Sequence, residues 1–105
     1  MRYLMLVCVD EDTAVEVDPT PWLDEMEGRG IRQSGNRLQP VRDSTTVRVR
    51  GGEVLIADGP FAETKEQIVG FDVLECADLD EAIEVAKKHP VATFGALELR
   101  PFWTP

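Results

Sequence analysis

The stretch "DGPFAETKE" sets Asp58, Glu63, Lys65 and Glu66 around a Gly-Pro turn, between one apolar run and the next. Carboxylates in a cleft can move protons, and Thr64 with Lys65 can hold a carboxylate or phosphate by hydrogen bond and charge. Binding residues favour loops carried on a rigid scaffold, so Asp58, Phe61, Glu63, Thr64 and Lys65 form a candidate cleft. Each also has a structural reading. Gly59-Pro60 bends the chain, and Phe61 reads as an anchor into the core. Asp58 is either an Asx-turn, accepting from backbone amides two residues on, or a charge facing a ligand. Glu63 to Glu66 also fit the first turn of a short helix with exposed charges. No glycine-rich phosphate cradle accompanies them.

Three further places carry ionisable chemistry. Asp72 lies between Phe71 and Val73 in a strand-like run, where an acid must meet solvent, a neighbouring strand or a cleft; it joins the candidate cleft. His89, the single histidine, follows Lys87 and Lys88. It reads as a helix-end cation complementing the dipole, with acid–base work as the alternative. Glu98 and Arg100 share a strand face and are placed to pair across the sheet or at an interface. Cys8 and Cys76 sit in or beside apolar runs and read as buried thiols rather than a redox pair. With no CxxC, no HExxH and one histidine, the sequence argues against a zinc site, and it implies no cofactor. No Ser-His-Asp, Cys-His or paired-glutamate constellation can be assembled by spacing.

These residues need elements to position them. Arg2 to Val9 is almost wholly apolar and too short for a helix, so it reads as a strand buried on both faces. Asp10 to Thr20 is an acidic loop. Thr20 reads as an N-cap with Pro21 at the first helical position, and Trp22, Leu23 and Met26 give a short stripe before Gly28 and Gly30 stop the helix. Ile31 to Leu38 is an irregular strand interrupted by Gly35. "TTVRVR-GG-EVLIAD" is the clearest hairpin, its Gly-Gly centre suited to the positive φ of a type I′ turn. The two-residue loop sets Arg50 opposite Glu53, Val49 opposite Val54, Val47 opposite Ile56 and Asp58 opposite Thr45. Val47, Val49, Val54 and Ile56 should then form a buried face.

Ile68 to Cys76 is the next strand. Asp78 and Glu81 make an acidic capping box for a helix whose Leu79, Ala82, Ile83 and Ala86 repeat at helical spacing. Lys87 and Lys88 suit its carboxyl end, Glu84 can pair with Lys88, and Pro90 ends it. Phe94 to Arg100 is the last strand. Without the hairpin the order is βαββαβ, the ferredoxin-like split βαβ plan, an α+β fold with both helices on one face of an antiparallel sheet. The other face lacks a cover, which a second copy of the chain would supply.

The totals agree with one domain spanning residues 1–105. Hydrophobic residues make up 43% and charged residues 30%, the balance of a globular protein. A net charge of −9 repels phosphate backbones and anionic lipid, which argues against nucleic-acid and membrane-surface roles. The first apolar run reaches acid within a few residues, short of the ~20 that cross a membrane and without a signal-peptide cleavage site. The cytoplasm is the expected address.

"ADGPFAETKEQIVGFDVLECADLDEAIEVAKKHPVATFGALELRPFW" resembles the DGPF-domain branch of the YCII-related family. The resemblance is dense from Val47 to Trp103 and looser over Arg2 to Asp10, and its most specific parts are DGPFAETKE and the terminal Gly95, Glu98, Arg100, Pro101 pattern. It implies a ferredoxin-like fold that pairs sheet to sheet as a dimeric α/β barrel, with a largely undefined biochemical role. Related branches carry a His–Asp pair in the cleft, and genes of this branch often neighbour extracytoplasmic-function sigma factors. The chain departs from relatives in its short first helix and in lacking a histidine there. Two functions are thus expected to compete. One is a homodimer that binds or transforms a small polar molecule in a cleft at the dimer interface. The other is a non-catalytic regulatory or interaction module associated with a sigma-factor system.

Overall fold

A computed structural model describes residues 1–105. Its elements are β1 (Arg2–Val9), α1 (Thr20–Gly28), β2 (Arg32–Arg37), β3 (Thr45–Arg50), β4 (Glu53–Asp58), β5 (Gln67–Glu75), α2 (Leu79–Lys87) and β6 (Ala96–Pro101), with short 3₁₀ turns at Val41–Asp43 and Pro90–Thr93. The main sheet runs β2-β5-β1-β6, and every neighbouring pair is antiparallel. That is the ferredoxin-like order expected of βαββαβ, with β3 and β4 as a separate two-stranded sheet.

Strand β1 alternates in burial. Tyr3, Met5, Val7 and Val9 are buried under the helices, while Leu4, Leu6 and Cys8 are half-buried on the opposite side. The core joins the first set to Leu74 of β5, Trp22 and Met26 of α1, and Ala82, Val85 and Ala86 of α2. The indole N–H of Trp22 donates to the Val85 carbonyl at 2.9 Å, tying the two helices together. Lys88 reinforces the tie from outside by reaching Glu25 at 3.2 Å.

The helix ends differ in detail from expectation. Thr20 is the first helical residue rather than the cap; the Asp18 carboxylate accepts its N–H instead, at 3.0 Å. Gly28 stays helical, and Gly30 at φ 70° makes the stop, its N–H donating to the Glu27 carbonyl. On α2 the Asp78 carboxylate accepts the Glu81 N–H as a capping box requires, while Glu81 accepts from Ala77. The buried face of α2 is Ala82, Val85 and Ala86, so Leu79 and Ile83 are left about half exposed. Glu84 pairs with Lys87 rather than Lys88, because Lys88 is taken by Glu25.

The hairpin keeps the expected register throughout, and Gly51 and Gly52 take φ of 57° and 79°. Its apolar face, however, is not buried: Val47, Val49, Val54 and Ile56 are each 58–69% exposed. The two strands add to no other strand and project from the body, and the whole chain measures 47 × 39 × 18 Å. Two further expectations shift. Gly35 does not interrupt β2 but pairs with Asp72, and the last strand starts at Ala96 because Pro90–Thr93 winds into the 3₁₀ turn.

Candidate functional site

Asp72 sits in the middle of β5, and its neighbours in register are Met5 on β1 and Gly35 on β2. Strand alternation turns its carboxylate to the helix side of the sheet, where it is 5% exposed. A carboxylate at that depth requires a partner. Arg32, from the start of β2, donates its Nε–H to Asp72 Oδ1 at 2.6 Å and its Nη1–H to Glu27 at 2.7 Å. Burial alone would weaken the Arg32 cation, but the hydrogen bonds and charges of Asp72 and Glu27 outweigh it and hold the guanidinium protonated more firmly than usual. Gly35 makes room for the pair. A Cβ there would lie 2.5 Å from Asp72 Oδ1 and from the Phe71 carbonyl, and 2.6 Å from Arg32 Nη2.

His89 approaches from the end of α2. It is 7% exposed and packs edge-on against Trp22, with ring centroids 4.8 Å apart. Its Nδ1 accepts the Val91 N–H at 3.1 Å, which places the proton of the neutral ring on Nε2. Burial lowers its pKa, and the nearby Asp72 charge only partly opposes that. His89 is therefore a neutral donor and not the exposed helix-end cation expected from its lysine neighbours.

Asp72 and His89 line one cavity of about 810 Å³, together with Arg32. Val7, Val9, Leu23 and Phe94 are among its apolar walls, and the acidic loop Glu11 to Val17 crosses it. Asp72 Oδ2 and His89 Nε2 have no partner within the chain, and neither is sealed from solvent, so both open to this space. One offers an acceptor with negative charge and the other a neutral N–H donor. Such a couple can hold a hydroxyl, which donates to the carboxylate and accepts from the imidazole, or offer the imidazole N–H to a carbonyl oxygen. The cavity lies on the helix side, away from the uncovered sheet face.

The DGPFAETKE loop builds a second, shallower groove of about 420 Å³. Asp58, Glu63, Thr64 and Lys65 line it, and Glu11, Asp12 and Arg42 line both spaces. Asp58 is exposed opposite Thr45, and its carboxylate makes no Asx-turn; Gly59, at φ 99°, instead donates its N–H to the Ser44 carbonyl at 2.7 Å. Glu63 to Glu66 form no helical turn. The Thr64 hydroxyl donates to the Glu66 carbonyl at 2.6 Å and accepts from Gln67, which commits it to the loop's own shape. Phe61 lines neither space and is 80% exposed, so it anchors nothing in this chain.

Phe61 apart, the candidate residues thus fall into two groups that share a rim. Arg32 and Gly35 escaped the sequence reading, because strand pairing alone reveals which basic residue reaches Asp72. Glu98 and Arg100 pair with each other along β6 at 2.7 Å. The two cysteines are unpaired, and burial raises the pKa of both thiols, so neither is an activated nucleophile. No helix is long and apolar enough to cross a membrane.

The chain matches the model of the YCII-related domain over residues 1–104. An uncharacterised protein of Rhizobium meliloti is 46% identical over 67 residues, covering 62% of this chain and 54% of that protein. The chain therefore spans about half the length of this curated relative.

Proposed function

Because the chain belongs to the YCII-related domain family, we propose that it binds, and can act on, a small molecule in the cavity that holds Asp72 and His89. The ligand carries a compact apolar body for the walls of Val7, Val9, Leu23 and Phe94, and a hydroxyl or carbonyl for the polar end. The His89 Nε2–H donates to that oxygen, and where it is a hydroxyl, Asp72 Oδ2 accepts its hydrogen bond or takes its proton. Arg32 fixes the carboxylate through the other oxygen. Asp58, Glu63, Thr64 and Lys65 belong to the polar approach rather than to the reacting end. The single observation behind this reading is that two unpartnered polar atoms of opposite hydrogen-bonding sense open into one cavity with both apolar and polar walls. The working unit is a homodimer in which the uncovered sheet faces meet.

A thermal-shift screen of small hydroxy and oxo compounds tests the proposal. A ligand at 100 times its Kd stabilises the fold by about 2.7 kcal/mol. The shift should vanish in His89→Asn, which retains an acceptor for the Val91 N–H but removes the Nε2–H donor. Hits that bind the variant as well as the wild type would place the ligand elsewhere.

A further inference from the structure

An isolated two-stranded hairpin is only marginally stable in water, yet β3 and β4 stand apart from the main sheet with four aliphatic side chains together on one face. Val47, Val49, Val54 and Ile56, each 58–69% exposed, make an apolar patch on the order of 400 Å², a size that marks interaction surfaces. The hairpin's direction is fixed at its base. Gly59 donates to the Ser44 carbonyl at 2.7 Å, and the Thr46 hydroxyl donates to the Gly59 carbonyl at 2.8 Å. The radius of gyration, 15.7 Å, records the projection. A compact chain of this length has about 13 Å.

We propose that this hairpin is an arm that reaches past the edge of the sheet-to-sheet contact and lays its apolar side against a second copy of the chain, with the second copy's arm returning the contact. The inference rests on the dimer proposed above and names the surface that makes it. Dimensions allow it: a six-residue strand reaches ~20 Å, enough to extend from one chain onto the next. Chemistry matches as well. The receiving face carries Leu4, Leu6 and Phe71, half-buried in one chain, and its nearby charges Glu98 and Arg100 neutralise each other. Arg48 and Arg50 balance Glu53 and Asp58, so the hairpin carries none of the chain's net charge of −9. The arm's patch of about 400 Å² is about half of the ~800 Å² per partner that a stable dimer buries, and the sheet face has the remainder to supply. Reciprocal docking about a two-fold axis uses both surfaces on both chains and leaves no open end for further growth.

Sedimentation equilibrium of the wild type and of Val49→Glu/Ile56→Glu tests the arm, with amide exchange of the wild type as the second measurement. The wild type should sediment at twice 11.7 kDa, and the variant should dissociate at least 100-fold more readily. Amides of Thr45–Asp58 should exchange at least tenfold more slowly in the dimer than after dilution to the monomer. A variant that dimerises as tightly as the wild type, or hairpin amides indifferent to dilution, overturns the arm and leaves a dimer built on sheet faces alone. A monomeric wild type overturns arm and dimer together and assigns the apolar face to another partner, while leaving the ligand cavity to its own test.

Discussion

At the scale of single residues, His89 shows how one backbone bond sets a side chain's chemistry. Protonating the ring requires a proton on Nδ1, and that nitrogen already accepts the Val91 N–H in a buried position. Burial disfavours the cation in the folded chain, against the partial opposition of the Asp72 charge, and lowers the pKa below its ordinary 6.5. The unfolded chain takes up its proton as pH falls through 6.5, before the folded chain does, so it binds more protons in that window. His89 thus contributes stability above 6.5 that is lost as pH falls from there towards the lowered folded value. His89→Asn keeps an acceptor for Val91 and does not titrate. Melting temperatures measured from pH 8 to pH 5 should fall less in the variant than in the wild type, the shared carboxylates cancelling in the comparison. Parallel curves would refute the assignment. The sequence showed an acid in a strand and a histidine after two lysines. It could not show that they meet, because their contact depends on α2 delivering His89 to the same side of the sheet as Asp72.

At the scale of elements, local chemistry was legible and cover was not. The Gly-Gly centre determined the hairpin register down to Asp58 opposite Thr45, since only a two-residue loop with positive φ at both positions fits the strand twist. Asp78 with Glu81 marked the start of α2 for a similar reason, a carboxylate meeting an orphan N–H. Alternation in β3 and β4 told which residues share a face, but not whether anything lies upon it. The same ambiguity misassigned Leu79 and Ile83, which share a stripe with Ala82 and Ala86 but lie at its exposed margin. Gly51→Val/Gly52→Val follows from the turn. Two β-branched residues forced to positive φ should cost about 2 kcal/mol or more. Because the hairpin packs on no other strand of its own chain, the loss should be local in the monomer. Measured on dilute protein, amide exchange should accelerate by a factor of about 30 across Thr45–Asp58. The amides of β1 should keep their protection. Equal acceleration in both would mean that the hairpin and the main sheet unfold as one unit.

At the scale of the whole molecule, the helices form one layer on one side of a four-stranded sheet, and the hairpin extends that plane into a slab 18 Å thick. The split βαβ order was readable from the succession of elements, as was the placing of large side chains on both sides of β1. The position of the cavity was not. Its walls come from the loop between Glu11 and Pro19 together with residues of β2 and β5, which only the tertiary fold brings together. The distribution of charge leads to a prediction about assembly. Each chain carries −9, so two chains approaching one another repel, while the surfaces proposed to meet are apolar and locally neutral. Salt shortens the range of that repulsion from about 10 Å at 0.1 M to about 3 Å at 1 M. It has little on which to act inside an apolar contact. The dimer should therefore tighten several-fold between 0.05 and about 0.5 M sodium chloride, as the screening length shrinks. An interface held by ion pairs would respond in the opposite sense, because screening would weaken the pairs. Sedimentation equilibrium across that range separates the two, and a dimer that loosens with salt would place the contact on the charged faces of the slab.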